Sequence, residues 1–147
     1  MSGFAVVDPY TLERVEEGPY FSAAEVEAAL ASVWSAWTDW VPATTVAERA
    51  ALIARVAELH EERVDALADA IVREMGKPRP QAVGEVEFAA AIYRWYAGHA
   101  ERLLADEPIE GAAATAYIRK SPTGPLLGIM PWNFPYYQVA RFAGPNI

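Results

Sequence analysis

Apolar residues recur at steps of three and four over most of the first hundred positions, and that rhythm breaks after about residue 105. The opening FAVVDPYTLERVEEG is different again: two short strand-like runs flank Asp8-Pro9, a turn dipeptide, and predict a small hairpin. Ser22 with Glu25 then fits a capping box, in which each side chain satisfies an orphan N–H of a first helical turn. Val26, Ala29, Leu30, Val33 and Trp37 follow at helical spacing. Thr45 with Glu48 repeats the box ahead of Leu52, Val56 and Leu59. Val64, Leu67, Ala68, Ile71, Val72 and Met75 make a third stripe, which Gly76 can close in a left-handed conformation and Lys77-Pro78 keeps from continuing. A fourth, longer helix is predicted from Pro80 to about Leu104 on Val83, Val86, Ala90, Tyr93 and Ala97, weakened by Gly84 and Gly98.

Beyond it, DEPIEGAAATAYIRKSPTG has poor helical period and ends in a turn-rich cluster, so short strands with a turn are expected. PLLGIMP, residues 125–131, is a continuous apolar run bounded by prolines, the signature of a buried strand in a parallel or mixed sheet. Pro135 suits the first turn of a last helix, where its missing N–H costs nothing, and Gly144-Pro145 is expected to stop that helix. The expected organisation is therefore a hairpin and helices over about 1–104, strands and a turn over 105–127, and a sheet strand leading into a helix over 125–147. The 147 residues supply almost none of the strands that should flank such a sheet.

Composition narrows the function. The chain is 53% hydrophobic and 22% charged, within the globular range. Its formal net charge of −8 repels phosphate backbones, and no basic stripe or polybasic patch offsets it, so neither nucleic acid nor a membrane surface is an expected partner. The N-terminus lacks the features of a signal peptide and no apolar run reaches the ~18 residues of a membrane span, so a cytoplasmic location is expected. Cysteine is absent, which excludes disulfides, thiolate metal sites and a thiol nucleophile from these residues. His60-Glu61 begins like a zinc-binding helix, but the position four after His60 holds Val64; no metal site is expected, and His60 and His99 read as helix-surface or boundary residues. No phosphate-loop or Gly-x-Gly-x-x-Gly pattern is present, and Ser121 lacks an elbow and a nearby base.

PWNFP, residues 131–135, remains. Ligands of α/β sheets bind beyond the carboxyl ends of strands, where Asn133 is expected to stand. A carboxamide N–H there can donate to an oxyanion growing on a substrate carbonyl, with the flanking prolines fixing the backbone that aims it. The same residue could instead cap the following helix. Arg141 follows eight residues on, a little over two helical turns and about 12 Å along an axis, where it could pair with a substrate carboxylate, or instead pair with a surface acid or snorkel.

PWNFP after an apolar strand and before a helix ending in Ala-Gly-Pro resembles the NAD(P)-dependent aldehyde dehydrogenase superfamily. VVDPYTLERV is similar to that family's opening hairpin, REMGKPRPQAVGEVE to its Glu-x-Gly-Lys-Pro stretch between two helices, and YIRKSPTGPLLGIMPWNFP to its approach to the first cofactor-domain strand. The resemblance covers essentially all 147 residues. It implies an α/β fold, the N-terminal part of the aldehyde dehydrogenase fold leading into a Rossmann-like sheet and incomplete here. It also implies NAD or NADP as cofactor, a small aldehyde as substrate and a homo-oligomeric parent enzyme. Carried over by position, Asn133 matches the oxyanion donor. Ile129, Met130, Pro131 and Trp132 match the segment lining the nicotinamide-ribose side of the cofactor cleft. Phe134 matches the wall of the substrate tunnel. Arg141, within YYQVARF, matches the cation by which the succinate-semialdehyde branch meets its substrate's carboxylate.

In the family, a cysteine attacks the aldehyde and a glutamate activates the water that releases the acid. With no cysteine, this sequence departs from the pattern, and an N-terminal fragment that is inactive alone is expected. The other reading is a non-catalytic helical interaction or regulatory module derived from the same fold.

Overall fold

A computed structural model describes residues 3–111 and 115–147; expectations touching residues 1–2 and 112–114 lie outside the described residues. The expected hairpin pairs β1 (Gly3–Val7) antiparallel with β2 (Arg14–Pro19), with a register shift between Val6 and Val7. Asp8 organises its turn: one carboxylate oxygen accepts from the N–H groups of Tyr10 at 2.8 Å and Thr11 at 3.1 Å.

Both capping boxes form. Ser22 and Glu25 open α1 (Ala23–Ser35), and Thr45 and Glu48 open α3 (Val46–Glu62). Between them the chain does not stay α-helical: Ala36–Trp40 is a single wide π turn, followed by the short α2 (Val41–Ala43). Pro42 supplies the reason, since it has no N–H to return to the preceding turn and its ring crowds the carbonyl four residues back, so the backbone widens ahead of it.

The third and fourth stripes become α4 (Val64–Met75), ended by Gly76 at φ 71°, and α5 (Arg79–Leu104), unbroken across Gly84 and Gly98. α5 is the spine. On one side Ala89, Ala90 and Tyr93 pack with Ile53 and Ala57 of α3; on the other Ala82 and Val86 pack with Ala68 and Ile71 of α4. Alanine at so many of these points lets helix backbones approach closely, where long side chains would hold them apart. The α3 face is consequently shifted by one from the expected stripe: Ile53 is buried, while Leu52 is 53% exposed. α1 buries none of its residues, and Leu30, Val33 and Trp34 lie open.

After α5 the expected strands shrink to the two-residue pair β3 (Glu107–Pro108) and β4 (Tyr117–Ile118), clamped by Arg119, which forks onto Asp106 at 2.6 and 3.0 Å. The buried strand expected over 125–131 does not form: the segment pairs with no strand among the described residues, and Leu127 and Ile129 are each 85% exposed. Apolar content alone cannot make a strand, because ladder hydrogen bonds need a neighbour. The final helix α6 (Pro135–Asn146) starts at the expected proline but runs through Gly144 and Pro145 instead of stopping there. In its last turn Pro145 forfeits one hydrogen bond, while the Ile147 N–H still reaches Ala143 O at 3.1 Å. α6 docks through Ala140 onto the α3–α5 side, and Tyr136 touches both core clusters.

Candidate active site

The turn of residues 132–134 between the unpaired segment and α6 carries Asn133. This placement corrects the helical ladder drawn from Asn133 to Arg141, because Asn133 precedes the helix. Only the six steps from Pro135 to Arg141, about 9 Å of rise, run along its axis.

Asn133 is exposed, and its carboxamide makes no hydrogen bond among the described residues. It does not cap α6. Phe134 occupies the cap position without a side-chain bond, and the work is done from α5. One oxygen of the Glu85 carboxylate accepts from the Tyr136 N–H at 3.0 Å and the Tyr137 N–H at 3.3 Å. A negative charge at a helix N-terminus also meets the positive end of the helix dipole. The other Glu85 oxygen takes a hydrogen bond from Lys77 Nζ. Lys77 in turn donates to the Asn133 main-chain carbonyl at 2.9 Å and lies 3.7 Å from the centre of the Phe134 ring. Both partners are buried, Lys77 with 7% and Glu85 with 1% of its side chain exposed.

Sequence reasoning assigned no site role to this pair. One signal was present: Glu85 falls within an otherwise apolar stripe of Ala82, Val86, Ala89 and Ala90, where an unpaired charge would be costly.

The other predicted residues divide into two groups, the first of which gathers around Tyr137, a residue given no role from sequence. Phe134, Tyr137 and Arg141 come together: the Tyr137 ring lies 5.8 Å from Phe134 and stacks on Phe88 at 5.4 Å, and the Arg141 guanidinium sits 5.3 Å from the Tyr137 ring. Arg141 is exposed and forms no salt bridge among the described residues, so the surface pairing that was one alternative is not made. Ile129, Met130 and Pro131 end the unpaired segment, and Trp132 opens the turn. Trp132 is 76% exposed at the edge of an open cleft of about 580 Å³ between the hairpin and α4, lined also by Val7, Pro9, Ile71 and Tyr136. Burial, with the Glu74 and Glu85 carboxylates adding to it, holds the Tyr136 phenol above its ordinary pKa.

His60 behaves as a boundary residue, with Nδ1 donating to Val56 O at 2.8 Å and its ring against Tyr93 and Tyr136. Among the described residues no cluster of three or more His, Asp or Glu could hold a metal, and no helix is long and apolar enough to cross a membrane. A dinucleotide fits these residues only in part. The unpaired segment 125–131 offers main-chain groups and apolar edges to one end of it. The N-terminus of α6, the natural place for a phosphate, is already filled by Glu85.

The model of the aldehyde dehydrogenase family matches residues 1–147. Among curated proteins the chain is similar to a succinate-semialdehyde dehydrogenase [NADP(+)] of Deinococcus radiodurans, 43% identical over 98% of this chain and 30% of the relative. It is also similar to one of Mycobacterium avium, 42% identical over 97% of this chain and 31% of the relative. Among solved structures, the succinic semialdehyde dehydrogenase of Streptococcus pyogenes in complex with NADP+ superposes with a TM-score of 0.93 at 31% identity, over 97% of this chain and 31% of that one. The chain thus spans about 30% of the length of the curated relatives it matches.

Proposed function

The chain belongs to the aldehyde dehydrogenase family, and we propose that it supplies the N-terminal third of an enzyme that oxidises succinate semialdehyde to the acid with NADP+. The observation that carries this reading is the Asn133 carboxamide. It is exposed and, among the described residues, free of hydrogen-bond partners, on a turn whose capping work Glu85 has taken over. Such a donor can meet the oxyanion that forms when a nucleophile adds to an aldehyde carbonyl, and being fixed beforehand it needs no reorganisation as charge develops.

Arg141, lacking a carboxylate partner among the described residues and held beside Tyr137, suits the far carboxylate of a four-carbon semialdehyde. The names of the relatives favour the same substrate, and they favour NADP+ as the hydride acceptor. Ile129, Met130, Pro131 and Trp132 would border its nicotinamide end. That segment 125–131 is mostly exposed, and unpaired among the described residues, supports its becoming the first strand of the cofactor sheet once neighbouring strands are supplied. With no cysteine among its 147 residues, the chain alone offers no thiol to attack the aldehyde.

The test is a chimera in which this chain replaces the matching N-terminal part of the Deinococcus radiodurans relative. The chimera is expected to form NADPH from succinate semialdehyde, whereas the 147-residue chain alone is not. Asn133→Ala should lower its kcat by about 10²–10³-fold. An inactive chimera that is nonetheless folded, or an Asn133→Ala variant at full kcat, refutes the assignment.

A further inference from the structure

We infer that the buried pair Lys77–Glu85 is a positioning device that aims the Asn133 carboxamide; this rests on the reading of Asn133 as the oxyanion donor. The two residues come from the α4–α5 connection and from α5, yet between them they hold four groups at the turn and the start of α6. Lys77 takes the Asn133 carbonyl and covers the Phe134 ring, and Glu85 takes the N–H groups of Tyr136 and Tyr137. The hydrogen bonds among them span 51 to 56 residues of sequence, so they are tertiary constraints and not features of the local turn.

The Asn133 carbonyl belongs to the peptide plane that leaves its Cα. Fixing that plane and the first turn of α6 together anchors the Cα from which the carboxamide departs, leaving it rotation about the Asn133 Cα–C bond and its own rotamers. Burying two charges returns little net stability compared with an apolar pair of the same volume. What the ion pair adds is direction. The ammonium has three donors, two of which go to Glu85 and Asn133, and the carboxylate divides its oxygens between Lys77 and the helix end. An apolar pair could fill the space but could not orient the peptide.

The chimera described above separates positioning from mere folding support through a double-mutant cycle on Lys77→Met and Asn133→Ala. Lys77→Met is expected to lower kcat by roughly 10–100-fold, as for a reacting group displaced by a fraction of an ångström to an ångström. KM for NADP+ should stay within about twofold, and Lys77→Met should add less than about twofold once Asn133 is already Ala, because both changes remove one function. Losses that multiply, or a silent Lys77→Met, overturn the inference. A silent Asn133→Ala instead removes the reading beneath it, and the inference with it.

A second measurement needs no turnover. In the 147-residue chain, Glu85→Gln should speed hydrogen exchange of the Tyr136 and Tyr137 amides by about tenfold or more relative to a mid-helix amide such as Ala140. Unchanged exchange at those two amides overturns the inference even if the chimeric variants fail to fold.

Discussion

Gly76→Ala tests how the hairpin, α4 and the active-site turn are joined. Gly76 stands at φ 71°, and a Cβ placed on it would lie 2.8 Å from Pro9 Cγ, closer than real side chains approach. Two costs follow. Holding alanine in the left-handed region costs about 1–2 kcal/mol, and forcing apart a packed contact costs roughly 1–3 kcal/mol. Together they predict a loss of about 2–5 kcal/mol, which for a chain of this size lowers the melting temperature by roughly 4–20 °C. The two parts can be separated. In a Pro9→Ala background the Cγ is gone and the nearest remaining Pro9 atom, Cβ, lies at 3.8 Å, an ordinary contact, so only the backbone share of the loss should remain. Asn tolerates the left-handed region better than Ala, so Gly76→Asn should relieve the strain but not the contact. Thermal unfolding followed by circular dichroism, compared within each background, reads these differences. A Gly76→Ala protein that melts with the parent refutes the strain. An equal loss with and without Pro9 refutes docking of the hairpin turn against the end of α4.

Three other outcomes are expected. In the chimera, Arg141→Ala should depress kcat/KM for succinate semialdehyde far more than for a neutral aldehyde of similar length, and equal losses on both would remove the substrate assignment. Replacing Leu127 and Ile129 together by Lys should reduce self-association of the 147-residue chain in sedimentation experiments while changing its stability by less than about 1 kcal/mol, since both side chains are already exposed; unchanged association would show that this segment is not the sticky surface. Hydrogen bonds from the main-chain N–H and the hydroxyl of Ser22 and of Thr45 hold the Glu25 and Glu48 carboxyls below their usual range. Folded values below the unfolded ones mean that the stability they contribute is present above about pH 4.3 and is lost as the pH falls through the folded values. The melting temperature of a Glu25→Gln, Glu48→Gln variant should therefore fall less steeply in acid than that of the parent, and parallel slopes would contradict the coupling.

What the sequence determined by itself is whatever depends on residues within about one helical turn. Both capping boxes, the left-handed stop at Gly76, the proline that opens α6 and the long α5 are all of this kind, because their partners lie three or four positions away. Asn133 was legible as a candidate for the same reason: prolines two positions to either side mark its turn. Tertiary structure decided the rest. PLLGIMP carries the composition of a buried strand, but pairing requires a neighbour, and without one the segment lies open. The stripe of α1 predicts a buried face, yet among the described residues none of its positions becomes buried. Whether Asn133 caps its helix or stays free was undecidable locally, since the answer is a carboxylate 51 residues upstream of the amide it caps. Spacing along the chain says nothing about which distant charge will be enclosed with which turn; only the packing of α4, α5 and α6 brings Lys77, Glu85 and Asn133 together.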